Sequence, residues 1–148
     1  MGLYRLVYYS VASDTLSLED VKEISRKASL NNAKRAISGA LLFCEGKFLQ
    51  TLEGGIHEVN YTLSRIMQDS RHKDIKLLEF KRIAKRAFRG WDMSLVFFAT
   101  AREFQAEYSK YSAVREFDPL ALEPESCVEL LYELVEKNKR NPLTMSAA

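Results

Sequence analysis

The side chains able to do chemistry in this chain are a phenol, a few amides and scattered charges. Gln50 sits in "KFLQTLEG" (47–54), where strand alternation puts it on one face with Phe48 and Leu52. A buried amide without a partner costs about 1–3 kcal/mol. Neighbouring backbone can satisfy it, as for most buried polar groups. A phenol can satisfy it too, and Tyr8 in "LVYYS" carries one. An amide presents a donor and an acceptor to such a partner, so the chemistry on offer is hydrogen bonding rather than bond making. The sequence shows no nucleophile–base pair, phosphate loop or metal set, and no enzyme is expected. Cys44 and Cys127 have no metal spacing with His57 or His72 and read as buried free thiols.

The elements that must position these groups follow from periodicity. "LYRLVYYSVA" (3–12) is apolar on both faces, like a central strand. Ser17 and Asp20 are spaced as a helix-start box, followed by Leu18, Val21, Ile24 and Ala28 at helical spacing. This helix is expected to fray at "LNN", 30–32. "ISGALLF" (37–43) and "KFLQTLE" (47–53) are strands joined by a tight turn at Glu45-Gly46. Ile56, Val59, Leu63, Ile66 and Met67 mark a second helix ending near Asp69; strands follow at 75–84 and 93–99. The order is β-α-β-β-α-β plus one strand: an α+β, ferredoxin-like core with a fifth strand. That topology makes the first and third strands central neighbours, which brings Tyr8 and Gln50 within reach. It also puts both helices on one face, with Asn31 and Asn32 beside the same space.

The remainder differs in texture. Residues 101–113 read as a short polar helix, and "PESCVELLYELVEKNKR" (124–140) as a helix with Pro124 at its start. Its stripe of Cys127, Leu130, Leu131 and Leu134 must dock on the sheet's free face or on another subunit. The last residues, "NPLTMSAA", read as frayed. With 47% hydrophobic residues and a net charge of +2, the chain is globular and too balanced for charge alone to argue for nucleic acid or a membrane surface. It has no long apolar run or signal pattern, so a cytoplasmic location is expected.

Together these residues resemble the BLUF domains, flavin-binding blue-light receptors. Tyr8, Asn31-Asn32, "ISGALLF", "FLQTLEG", Arg65 and Asp69 in "LSRIMQDSRH", and "RAFRGWDM" fall in that family's order over residues 1–98. "KYS" near 110 and "PESCVELL" look like the two-helix tail of the short, single-domain receptors of the PixD type. The resemblance implies a flavin-binding domain at 1–98 and a helical extension at 99–148. It implies FAD, with FMN or riboflavin as alternatives, held non-covalently between the helices. Asn31 and Asn32 would bond the ring's polar edge, and Ile24, Phe48 and Ile66 would pack on it. Arg65, Asp69 and His72 would lie near the ribityl chain or phosphates; on spacing alone Arg65 and Asp69 read as an i,i+4 ion pair. Gln50 would connect Tyr8 to the ring, with light rearranging that hydrogen-bond network and Trp91 and Met93 carrying the change to the fifth strand. A homo-oligomer and a separate downstream protein of response-regulator-like type are implied as partners, with no nucleic acid or membrane.

Three positions depart from the family: Ala36 stands where glycine is common, Asp92 where serine is, and Phe43 where tyrosine is. Asp92 is expected to alter the Trp91–Met93 segment. An alternative function comes from "RGWDMSLVFF" (89–98), which echoes an RNA-recognition signature on the same core, near the basic run Lys81, Arg82, Lys85, Arg86, Arg89. Asp92 breaks that signature, and charge runs are usually solvated faces. "CEGKFLQ" is similar to the "NCRFLQ" of LOV photoreceptors, but Cys44 lies four residues before Phe48 rather than two, so no flavin adduct is expected.

Overall fold

The computed structural model describes residues 2–90 and 93–140. Five strands, β1 (Leu3–Ala12), β2 (Ser38–Cys44), β3 (Lys47–Gly55), β4 (His72–Ile83) and β5 (Ser94–Phe98), form one sheet in the order β4-β1-β3-β2-β5. β1 and β3 are central and antiparallel, and β5 lies parallel to β2. Helices α1 (Leu18–Lys34) and α2 (Ile56–Met67) complete the ferredoxin-like core expected from the element order.

Local chemistry explains most boundaries. The Ser17 hydroxyl accepts from the Asp20 amide at 3.1 Å, and the Asp20 carboxylate accepts from the Ser17 amide at 2.9 Å, closing the expected capping box. The β2–β3 turn has positive φ at both Glu45 (53°) and Gly46 (74°), the geometry of a two-residue hairpin turn that matches strand twist. A Cβ on Gly39 would sit 2.1 Å from the Thr51 carbonyl oxygen, so the β2–β3 approach requires glycine there.

Three expectations need correction. Helix α1 does not fray at 30–32 but runs to Lys34, because the Asn32 carbonyl accepts from the Arg35 and Ile37 amides and closes the last turn. Strand β4 begins at His72 rather than 75. Residues 101–113 form a 3₁₀ turn (Ala101–Phe104) running into the one-turn helix α3 (Gln105–Tyr108), not one regular helix.

The backbone at Ala36 explains why glycine suits that position, and nothing in the structure explains the alanine. Its φ is 54°, in the left-handed region, where a Cβ costs roughly 1–2 kcal/mol. Ala36→Gly removes that strain but adds about 0.4–1 kcal/mol of unfolded-chain entropy. The expected result is a net gain of about 0.5–1 kcal/mol, read as a higher urea midpoint; a lower midpoint would refute the account.

Two apolar layers flank the sheet. Leu6, Tyr8, Leu41, Phe48, Leu52, Met93 and Leu95 pack toward α1 and α2. Val7, Ala40, Leu42, Leu49 and Val96 pack on the other face against Phe104, Tyr108, Phe117 and helix α4 (Pro124–Arg140). Of the two docking surfaces open to the Cys127–Leu134 stripe, the chain's own sheet takes it. The β2–β3 turn fastens the intervening segment: the Glu45 carboxylate accepts from the Ala101 amide at 2.8 Å and the Phe117 amide at 3.0 Å. The sequence reading of 141–148 as frayed lies outside the described residues.

Candidate functional site

The β1–β3 register sets Tyr8 directly opposite Gln50. Both side chains point to the α1–α2 face and are nearly inaccessible, at 3% and 4% exposure. The Tyr8 hydroxyl donates a hydrogen bond to Gln50 Oε1. Gln50 Nε2 donates in turn to the Met93 sulfur at 3.3 Å. The amide keeps one N–H and one lone pair beyond these bonds. Burial, helped by the negative charge of Asp69, pushes the Tyr8 phenol far above its ordinary range, so it holds its proton in the resting protein.

Above this pair, between α1, α2 and the sheet, lies a cavity of about 300 Å³. Small-molecule sites begin at about that size. Ile24 and Ala28 from α1, Ile66 from α2, and Leu41, Phe48 and Leu52 from the sheet give it apolar walls. Asn31, exposed, and Asn32, buried, stand along one edge, while Tyr8 and Gln50 lie at the floor. Apolar walls with amide donors and acceptors at the edges suit a flat heteroaromatic ring.

The mouth is ionic. Arg71 grips Asp69 through its guanidinium at 2.6 Å and 2.9 Å and through its backbone amide at 2.9 Å. The bond to Arg71 holds the Asp69 carboxyl below its ordinary range. The i,i+4 pair with Arg65 expected from spacing is therefore not formed. Arg65 donates instead to the Tyr61 hydroxyl at 3.2 Å, and the Arg35 guanidinium lies 3.8 Å from the Tyr61 ring centre while pairing with Glu58 at 2.9 Å. His72 lies 2.8 Å from the Ile66 carbonyl through Nε2 and 2.8 Å from the Ser10 hydroxyl through Nδ1. A carbonyl only accepts, so Nε2 carries the proton. His72 thus ties the end of α2 to the sheet and stands edge-on to the Tyr8 and Phe48 rings.

The structure places Tyr8, Ile24, Asn31, Asn32, Phe48, Gln50, Arg65, Ile66, Asp69 and His72 around this one cavity. Met93 stands behind Gln50 rather than in the lining. Trp91 and Asp92 lie outside the described residues. Lys27, Arg35, Tyr61 and Arg71 also line the mouth, and sequence reasoning missed them. Arg71, just past the helix end in "DSRH", was the one with a local signal: a cation two residues from a carboxylate.

Fold and site define a binding module for a planar ligand set against a buried phenol–amide pair. A family model described as sensors of blue-light using FAD, BLUF, matches residues 3–94. The chain belongs to the BLUF family of flavin-binding blue-light sensors. It is 37% identical over 86 residues to photoactivated adenylate cyclase subunit beta of Euglena gracilis, a match covering 58% of this chain and 10% of that protein. The chain thus spans about a tenth of the curated relatives it first matches. Among solved structures it is similar to BlsA in its photo-activated state, with a TM-score of 0.80 and 28% identity over 90% of this chain and 94% of that one. It is also similar to BlrB, a BLUF protein solved in its dark state, with a TM-score of 0.73 and 25% identity over 90% and 95% of the two chains.

Proposed function

We propose that this chain is a blue-light receptor that holds FAD non-covalently and signals through Tyr8, Gln50 and Met93. The observation that carries the reading is the chain of donors at the cavity floor, from the Tyr8 hydroxyl to Gln50 Oε1 and from Gln50 Nε2 to the Met93 sulfur. The flavin supplies light absorption and a transient acceptor for an electron and a proton. Ile24, Phe48 and Ile66 would hold its ring, Asn31 and Asn32 would bond its polar edge, and the mouth cations Lys27 and Arg65 would suit its phosphates. Asp69, already engaged by Arg71, holds that cation at the mouth, and His72 serves as a wall and a tether for α2.

Gln50 can then store the event. A half-turn of its amide presents Nε2 to the Tyr8 oxygen and Oε1 to Met93. Tyr8 changes from donor to acceptor, and Met93 loses its partner because a thioether has no proton to give. Two hydrogen-bond patterns thus exist over the same covalent structure, with no net bond made or broken once the proton and electron return, consistent with a receptor rather than an enzyme. The likeness of the tail to that of the short receptors supports a cytoplasmic homo-oligomer that hands its signal to a separate protein, of response-regulator type. Residues 1–98 form the flavin-binding part and 99–148 the extension that reads it.

RNA binding is not favoured by the geometry. RNA readers of this fold stack bases on an exposed sheet face, whereas here one face lies under α1 and α2 and the other under α4. Within the basic run, Arg86 is turned inward onto the Ala36 and Glu53 carbonyls rather than solvated. Adduct chemistry at Cys44 is disfavoured too. The thiol is buried on the α4 face, and burial pushes it up to about 12.

The test is direct. Purified protein is expected to be yellow, to release FAD on denaturation, and to shift its absorption slightly to the red under blue light, reversing in the dark. A colourless protein that FAD, FMN and riboflavin all fail to reconstitute would sink the reading.

A further inference from the structure

Glu53 is a carboxylate with 0% exposure on the same strand as Gln50, three residues on and so on the opposite face of the sheet. Its side chain pairs with Arg5 at 2.7 Å and accepts from the Ala87 amide at 3.0 Å and the Phe88 amide at 2.9 Å. Its backbone carbonyl accepts from Arg86 at 2.9 Å, and Arg86 also donates to the Ser38 hydroxyl at 2.8 Å and the Ala36 carbonyl at 2.7 Å. Removing one partner from such a buried, charged network is costly, so its members hold one another in place.

Topology shows what the network holds. β4 and β5 are the two edges of the sheet, so the chain between Ile83 and Ser94 must pass β1, β3 and β2. That is about 19 Å at the usual strand spacing. Midway, at β3, Glu53 and Arg86 fasten residues 86–88. At the far end Met93 reaches the other face and takes its bond from Gln50. One crossing segment is therefore fixed to β3 twice, at residue 53 on the α4 side and at residue 50 on the cavity side. Phe88, next to the first fixing point, is fully buried in the α4 layer, with its ring 6.1 Å from that of Tyr132 on α4.

We propose that Glu53, with Arg86, is a positioning residue of the light response: it presents Met93 to Gln50 and carries a change at that bond to Phe88 and α4. The inference rests on the relay reading of Gln50. With residues 86–88 fixed, a shift of Met93 on losing its bond from Gln50 is passed along the chain to the Phe88–α4 contact. Without the fixing, the segment absorbs it.

The test uses the full chain reconstituted with FAD, as Glu53→Gln and Arg86→Gln. Glu53→Gln keeps the shape but removes the charge that pairs with Arg5. Arg86→Gln removes three bonds from a partly buried side chain and decides the matter alone if Glu53→Gln does not fold. Both are expected to keep the flavin and the red shift. Dark recovery should change by about tenfold, the effect of one charge-assisted hydrogen bond, and the light-minus-dark difference in α4 amide exchange should fall. A purely structural role would lower the melting temperature and leave both readouts alone. A normal red shift with unaltered recovery or unaltered α4 exchange in the folded variants overturns this proposal only. A flavin-loaded parent protein with no red shift overturns the relay reading and this proposal with it.

Discussion

Tyr8→Phe is expected to leave flavin bound and to abolish the light-induced red shift, and Gln50→Ala to do the same. The two changes break the relay from opposite ends. Phe keeps the ring that packs beside Leu6 and Phe48 but removes the hydroxyl that donates to Gln50 Oε1. The amide then loses the hydroxyl that can pair with it in either orientation. The stability cost should be modest, about 1–3 kcal/mol for a buried acceptor left unpaired. Gln50→Ala removes the acceptor, the donor to Met93 and the rotating group together. Neither change touches Asn31, Asn32, Ile24 or Ile66, so flavin should stay at near-parent occupancy. The measurement is the difference spectrum under blue light at matched flavin content. A full reversible shift in either variant would show that the stored change lies elsewhere. Loss of flavin would mean that the floor of the cavity, rather than its edge and walls, carries the affinity.

How far the site could be foreseen depends on the kind of information each residue carries. Tyr8 and Gln50 were readable because element order alone makes β1 and β3 neighbours, and alternation puts Gln50 on a buried face. That they stand opposite each other was not, because β1 and β3 are joined only through α1 and β2, and no tight turn fixes their register. Arg35 and Tyr61 come from two different helices, and their stacking depends on how α1 and α2 lie over the sheet. The Arg65–Asp69 pair was expected from helical spacing, but α2 ends at Met67 and the chain then turns Asp69 toward Arg71. Glu53 read as one more strand residue. Its partners, Arg5 and the Ala87 and Phe88 amides, are 48, 34 and 35 residues away, and no periodicity reports such a contact. The apolar stripe of α4 was legible as a stripe, but its target was not, since a sheet face and a second subunit are equally apolar.

That target decides what the tail is for. Removing residues 101–148 would strip the cover from Val7, Ala40, Leu42, Leu49 and Val96, each fully buried at 0% exposure. Exposing five such side chains costs on the order of 10 kcal/mol, comparable with the whole stability of a domain this size. The shortened chain is therefore expected to be unfolded or aggregated, and to lose its flavin for that reason rather than through any change at the cavity. A graded version separates the two. Leu131→Ala deletes one fully buried side chain from the α4 layer and should cost about 2–5 kcal/mol. Leu131 lies across the sheet from Tyr8 and Gln50, so the folded fraction should keep its red shift. Urea unfolding of the variant measures the first quantity, and the difference spectrum per bound flavin measures the second. A soluble 1–100 fragment with native circular dichroism and bound flavin would show that the α1–α2 layer suffices and that α4 is an appendage. Failure of the fragment, with Leu131→Ala destabilised but normally photoactive, would make the extension half of the receptor's core, and any output through α4 would start from a helix already packed beneath the relay.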